Sequence, residues 1–361
     1  MFYSYFVYSI LVFSICVITY YAYRNKLSYS VLWLPISIYA ITIGCRYEVG
    51  TDWINYKEYY KEILRGDDLT LEYLYVFLNH VIAYFKLAYP CLFITLAFIH
   101  INCLYRFLLE HRKILFWGIL LFFVGGPFIS TLNIMRQATA FLFFILSIKY
   151  IKQHDWKRYI IMILIAYGFH SSSIILLPLY FVNRIDKRFV SYKFSLAFLF
   201  LISIFIGKYV MGFLLDLFFS NVSSLQYSRY EEVVSDSNLS YGLGFLVIKL
   251  VDFLLIFFAS KLSNYNKNKE FDIIWWIYFI GVLVFNLGLS NELVIRFSYC
   301  MVSLRFIVLA YLCNYAYNKV QSHIYITLTT SVIILLNFLL FYSAIAKSHS
   351  GCSPFEFFFN I

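Results

Sequence analysis

Charge is what this sequence has least of. Only 13% of its 361 residues are charged, against about 25% in an ordinary soluble domain. With 62% hydrophobic residues and a mean hydropathy of +0.76, that scarcity excludes a water-soluble globular chain. Proline and glycine are also few, 5 and 14, and no Pro/Gly linker, internal repeat or low-complexity tract divides the chain. The seven cysteines are odd in number and contain no CxxC pair, so no disulfide framework is implied. GxxxxGK[ST], HExxH and DxD are all missing, which disfavours nucleotide hydrolysis, a bound zinc and a nucleotide-sugar donor held through a metal. The site is therefore expected to work with no metal and no cofactor. The first charge is Arg24, so no basic segment precedes the first apolar run, and residues 2 to 23 are expected to remain as a span.

What fills the chain instead is a series of apolar runs of about 17 to 25 residues, each long enough to cross a hydrocarbon core of about 30 Å as a helix. Unbroken runs of this kind exclude the alternating pattern of a barrel. The expected fold is all-α, a polytopic integral membrane bundle of about 10 to 12 transmembrane helices, read as one transmembrane domain over residues 1 to 361. The net charge of +10 is read as a positive-inside bias and not as a nucleic-acid surface. Basic bunches at Arg24 and Lys26, Arg106 to Lys113, Lys149 to Arg158, Arg184 to Lys193, and Lys261 to Lys269 are placed in the cytoplasm.

Counting crossings against these bunches gives spans near 3 to 22, 29 to 45, 90 to 108, 114 to 131, 135 to 151, 189 to 207, 241 to 260, 271 to 289, 295 to 317 and 324 to 343, with both termini outside. External excursions are expected at 46 to 71 and 208 to 240, the second holding a surface helix in "YVMGFLLDLFFS". Residues 72 to 89 carry Asn79, His80 and Lys86 and read as an interfacial or partly inserted helix. Residues 159 to 182 have basic bunches at both ends and are too short to cross twice, which takes roughly 40 residues. A re-entrant pair turning at Gly168 to Ser173, with His170 at the turn, fits the charges; one kinked span is the alternative.

This map gathers polar residues at the outer face. An arginine in a span is costly, roughly 2.5 to 3.5 kcal/mol at a helix centre, so it is usually paired or functional. Arg136 opens a helix after a Gly-Gly-Pro break, where free N–H groups also favour an anion. A guanidinium grips phosphate oxygens in bidentate fashion, so Arg46, Arg136 and Arg296 together can clamp a diphosphate. The competing reading makes each a snorkelling anchor or an ion-pair partner of Glu48, Asp52 or Glu292. Asp52 and Tyr56, at i and i+4 with Trp53 beside them, place a carboxylate among rings suited to a sugar; an interfacial aromatic belt reads the same way. His170 can accept a proton near neutral pH or be a satisfied structural histidine. Lys249, Asp252 and Arg305 are expected to neutralise one another inside the membrane.

The segments "RYEVGTDWINY" (46 to 56), "EYLYVFLNHVI" (72 to 82), "NIMRQATAFLFFILSIKYI" (133 to 151), "AYGFHSSSIILLPLYF" (166 to 181), "IRFSYC" (295 to 300) and "PFEFF" (354 to 358) resemble, in order, the signatures of the EpsG family. These are membrane proteins related to the Wzy-type polymerases of bacterial O-antigen lipopolysaccharide, capsule and exopolysaccharide. The resemblance implies a GT-C-like glycosyltransferase in the bacterial inner (cytoplasmic) membrane with its site facing the periplasm or exterior. It would use undecaprenyl-diphosphate-linked oligosaccharide as donor and acceptor and move the growing glycan onto a new lipid-linked repeat unit. Arg46, Gly50 and Asp52 match the first motif, Arg136 and Gln137 the second, His170 the third and Arg296 the fourth. The closing motif often reads Pro-Tyr and here is Pro354-Phe355, which leaves a tyrosine hydroxyl without a counterpart. Asp52 or His170 would take the proton from the attacking hydroxyl. Expected partners are membrane lipid, a chain-length regulator and a flippase of the same pathway, with no nucleic acid. A transporter or flippase for the lipid-linked oligosaccharide is the main alternative, followed by a membrane O-acyltransferase with His170 as base and by a structural scaffold.

Overall fold

The computed structural model describes residues 1–25, 29–67, 69–219, 242–267, 269–289, 292–319 and 324–360. Most of the expected excursion at 208 to 240 therefore lies outside the described residues. The chain is almost wholly helical, and six described helices are long and apolar enough to cross a membrane, or seven if one bent pair counts as a single span. It is a multi-pass membrane protein. Contacts divide it into two compact units, Met1–Leu177 with Leu309–Ile361, and Pro178–Val308.

The first unit is built on α1 (Phe2–Arg24), α2 (Trp33–Gly44), α5 (Pro90–Glu110), α8 (Met135–Lys152) and α9 (Trp156–Phe169). α2 has 12 residues where a span over 29 to 45 was expected, because a 3-10 turn at Tyr29–Leu32 takes up the start of the run. The run at 114 to 131 is likewise not one rod. It is α6 (Leu115–Val124) and α7 (Pro127–Asn133), bent by 51°. α6 stops before Gly125-Gly126, and Pro127 at N1 costs α7 no hydrogen bond. α8 carries Arg136, Lys149 and Lys152 within its 18 residues, so it is held mainly by protein neighbours, and most of its residues are buried.

Two shorter helices complete this unit. α3 (Trp53–Arg65) and α4 (Tyr73–Tyr84) pack against each other. With 12 residues, at about 1.5 Å per residue, α4 falls well short of the bilayer core. It lies against α9. α9 ends at Phe169, His170 adopts an extended backbone, and a 3-10 run, Ser171–Arg184, follows. That run doubles back along α9, since the Tyr159 hydroxyl donates to the Leu176 carbonyl at 2.6 Å.

The two ends of this unit differ in character. At one end Lys149 pairs with Glu110 at 2.7 Å, joining the basic ends of α5 and α8. At the other end the N-terminus of α1, the C-terminus of α2 and the last residues of the chain come together. A two-strand ladder pairs β1 (Arg46–Tyr47) with β2 (Glu356–Phe357), Arg46 opposite Phe357. The Tyr8 hydroxyl donates to the Cys352 carbonyl at 2.7 Å and the Phe355 N–H to Ser4 Oγ at 2.9 Å. α15 (Ile324–Ala346) leads into this closing segment.

The second unit contains α10 (Lys193–Phe219), α11 (Leu243–Asn266), α12 (Lys269–Leu287) and α13 (Glu292–Val302), and α14 (Arg305–Asn318) begins in it. α10 continues past the expected end at 207. The core of this unit holds a charged network. Arg305 binds Asp252 through Nε at 2.5 Å and a terminal nitrogen at 3.0 Å. Tyr278 donates to the same carboxylate at 2.6 Å, and Lys249 reaches Asn286 at 2.6 Å and Asp252 at 3.8 Å. The expected mutual neutralisation of Lys249, Asp252 and Arg305 is realised with Arg305 as the main partner.

Candidate active site

Three helix ends meet at one carboxylate in the first unit. Glu72 occupies the N-cap position of α4, yet its side chain makes no capping bond to that helix. It reaches across instead. Oε2 takes the Arg136 guanidinium from the first turn of α8. Oε1 takes His170 Nδ1 at 3.2 Å and the Ser171 N–H at 3.1 Å, both from the end of α9. A carboxylate only accepts, so the proton in the histidine contact is on Nδ1, and Nε2 is left as the acceptor. Burial would raise the Glu72 carboxyl. The His170 bond, the Arg136 charge and the Ser171 N–H outweigh it and hold the group down at about 2.

Close packing makes this meeting geometric. A Cβ on Gly168 would lie 2.5 Å from Leu74 Cγ, so only glycine lets α9 approach α4 closely enough. Arg136 is further placed by Tyr75, whose ring centroid is 5.7 Å from the guanidinium carbon, and by the Tyr56 hydroxyl. The Arg136, Glu72 and His170 side chains stay 21%, 13% and 23% exposed, open enough for a ligand to reach them. Arg136 Nε and Ser173 Oγ are buried with no hydrogen-bond partner. Such atoms are a minority in folded proteins, and these two lie beside the Glu72 group.

A second cluster adjoins this one. Arg46 is 2% exposed, and its guanidinium donates to the carbonyls of Ile43 at 2.7 Å, Val49 at 3.1 Å and Leu132 at 3.2 Å. These bonds tie the end of α2 and the loop at 46 to 52 to the junction of α7 and α8. Gly50 completes the tie. Its φ is +102°, and an added Cβ would sit 2.2 Å from the Leu132 oxygen. Asn133 Oδ1 accepts from Thr51 Oγ1 at 2.5 Å and from the Asp52 N–H at 2.9 Å.

Among the other residues expected from the sequence, Asp52 is half-buried at the start of α3. Trp53 is 1% exposed, stacks on Phe93 and donates Nε1–H to the Arg46 carbonyl at 3.3 Å. Tyr56 is buried against Tyr75, and Gln137 is buried in α8. Lys57 lies over the rings of Tyr47, Trp53 and Tyr89. Arg296 is exposed on α13 and belongs to the second unit. The structure thus brings Arg136 and His170 together and sets Arg46, Asp52, Trp53 and Tyr56 around the base of that group. Glu72 was missed as the link. A lone acid before an apolar helix reads as an ordinary N-cap, and only the unused capping position reveals its other role.

A family profile matches residues 30–357, a stretch that runs from before the Arg46 loop to the closing strand. The chain belongs to the EpsG family. No curated protein and no solved structure matches it. Membership makes this EpsG-family chain a membrane protein of polysaccharide biosynthesis, of polymerase-like type.

Proposed function

We propose that the chain is a repeat-unit polymerase of a bacterial surface polysaccharide. It transfers a growing glycan from undecaprenyl diphosphate to the sugar hydroxyl of a new lipid-linked oligosaccharide. The observation that carries this reading is the shared carboxylate, which holds an anion-binding guanidinium and a proton acceptor side by side.

In the transfer, the acceptor oxygen forms a bond to the anomeric carbon while the C–O bond to the diphosphate breaks. Negative charge grows on the departing diphosphate, and Arg136, preset at the head of α8, stabilises it more in the transition state than before. Its unbonded Nε–H is a donor waiting for such an oxygen. His170 Nε2 takes the proton of the attacking hydroxyl, and the ionised Glu72 stabilises the imidazolium that results. Of the two bases weighed from the sequence, Asp52 and His170, the proposal takes His170 because Glu72 orients its ring. Arg46 and Trp53 act one layer behind, holding the loop that carries Asp52. Arg296 lies in the second unit and has no role in this scheme.

The basic bunches support a site on the extracytoplasmic side. Lys149, paired with Glu110 of α5, marks the opposite end of the helix that carries Arg136, and positive ends stay in the cytoplasm. The decisive experiment replaces Arg136 by alanine in a strain that still makes and exports the lipid-linked unit. Loss of long-chain polymer with single units displayed outside is expected. Normal polymer sinks the proposal, and single units trapped inside point to the transporter instead.

A further inference from the structure

A polar cavity that shares no residue with the Glu72 site lies in the second unit. Its volume is about 780 Å³, within the range of about 300 to 1,000 Å³ typical of small-ligand pockets. Arg184, Lys267 and Lys269 line it from the end of the 3-10 run, the end of α11 and the start of α12. None of the three makes an ion pair among the described residues; Arg184 only stacks on Phe181, at 4.8 Å. Asp186 also lines the cavity, but its carboxylate is taken up by Arg188 at 2.7 Å and by the Arg188 N–H at 2.8 Å. Asp272 stands in the first turn of α12, where the helix N-terminus favours a negative charge.

Cations that converge on one concavity raise the local concentration of anions there. Trp276 adds a more selective mark. It lines the same cavity, and its indole Nε1 is buried without a hydrogen-bond partner. An indole N–H only donates, so the missing partner is an acceptor. The amides of Asn183 and Asn264 and the hydroxyl of Ser263 supply neutral contacts beside it.

We infer that this cavity binds a phosphate-bearing anion, with Arg184, Lys267 and Lys269 on the phosphate and Trp276 on an acceptor oxygen of the same molecule. Phosphate is the fitting chemistry because it offers several acceptor oxygens to converging donors, whereas one carboxylate would satisfy only part of the set. In a membrane protein the source is either an acidic lipid headgroup, which basic pockets beside helices hold, or a soluble phosphate compound drawn to a cation-lined cleft.

The test uses the full chain purified in a non-ionic detergent, with phosphatidylglycerol, phosphatidylcholine and inorganic diphosphate as probes. Retention of each lipid is read by native mass spectrometry, and diphosphate by equilibrium binding. A variant carrying Arg184→Gln, Lys267→Gln and Lys269→Gln is compared with the parent, so any binding at the Arg136 site cancels. These side chains are exposed, and an unchanged unfolding midpoint confirms that the variant folds. Trp276→Phe removes only the indole donor. Phosphatidylglycerol retained over phosphatidylcholine, and lost at least about tenfold in the triple variant, establishes the lipid source. Diphosphate bound by the parent and lost in the variant, without lipid selectivity, establishes the soluble one. Binding equal in parent and triple variant, or no binding of any anionic probe by the parent, overturns the inference.

Discussion

Glu72 and Arg136, 64 residues apart in the chain, pair as carboxylate and guanidinium at the ends of two different helices. The pair leaves Arg136 charged and aimed, and the remaining carboxylate oxygen is free to orient His170. Glu72→Gln keeps the size and removes the charge. Polymer formed per molecule of chain is expected to fall by roughly 10²-fold or more, the scale of losing an oriented acid-base partner. Arg136→Lys, which keeps the charge without the fork, should give partial activity. Quantifying long-chain glycan on gels at matched protein levels checks both.

Acid should unfasten the same group. Glu72 titrates at about 2 in the folded chain against an ordinary value of 4.5, so the folded state favours its ionised form. That contribution to stability is complete above about pH 4.5 and is lost as pH falls toward 2. Thermal unfolding of the solubilised chain across this window should show an acid limb that flattens in Glu72→Gln. An identical limb in both proteins would count against the pairing.

Gly168 is expected to be irreplaceable for a reason unrelated to chemistry. Gly168→Ala sets a methyl group 2.5 Å from Leu74 Cγ, which must push α4 from α9 and so part Glu72 from His170. Activity should fall several-fold while insertion into the membrane is retained. Pairing it with Leu74→Ala, which removes the nearest clash but leaves Tyr73 Cζ at 2.8 Å, should restore part of the loss.

Arg305 tests the network of the second unit. Removing it leaves the Asp252 carboxylate, with a fully buried side chain, short of its main partner. Loss of one member of a buried pair costs about 3 to 5 kcal/mol, so Arg305→Ala should sharply lower the amount of folded protein. Adding Asp252→Asn should recover much of it, and a double-mutant cycle on the unfolding midpoint measures the coupling.

The closing segment is expected to act through packing. Phe355 is 1% exposed and meets the Tyr8 ring edge-on at 5.2 Å, so it contributes bulk to this packing. Phe355→Leu should keep the ladder and lower stability by about 1 kcal/mol. Phe355→Ala should cost about 3 to 5 kcal/mol and reduce polymer in step with protein level.

Helical class was legible because apolar runs of membrane length can hardly be anything else; of the ten spans expected, six described helices, or seven with the bent pair, are long and apolar enough to cross. Arg136 and His170 were legible as polar residues at breaks in such runs. The partner that joins them was not, because a pairing between distant helix ends leaves no local spacing to read. Arg46 shows the complementary difficulty. An arginine at a helix end suggests an anion, yet its bonds here go to backbone carbonyls of Ile43, Val49 and Leu132, and carbonyls are the same in every sequence. Asn133 was overlooked for a similar reason, since it serves the backbone of the Asp52 turn. The break at Gly125-Gly126 was seen as a helix start, but its 51° bend depends on how α7 packs under the Arg46 loop.

The ladder between Arg46–Tyr47 and Glu356–Phe357 has a bearing on how the protein is made. A ribosome delivers one of these strands early and the other only after every helix between them has entered the bilayer. Until then the Arg46 turn lacks its brace, so a chain clipped or stalled before that point is a membrane protein without a finished workplace. Fusing a bulky tag directly onto the closing strand should imitate the same unfinished state.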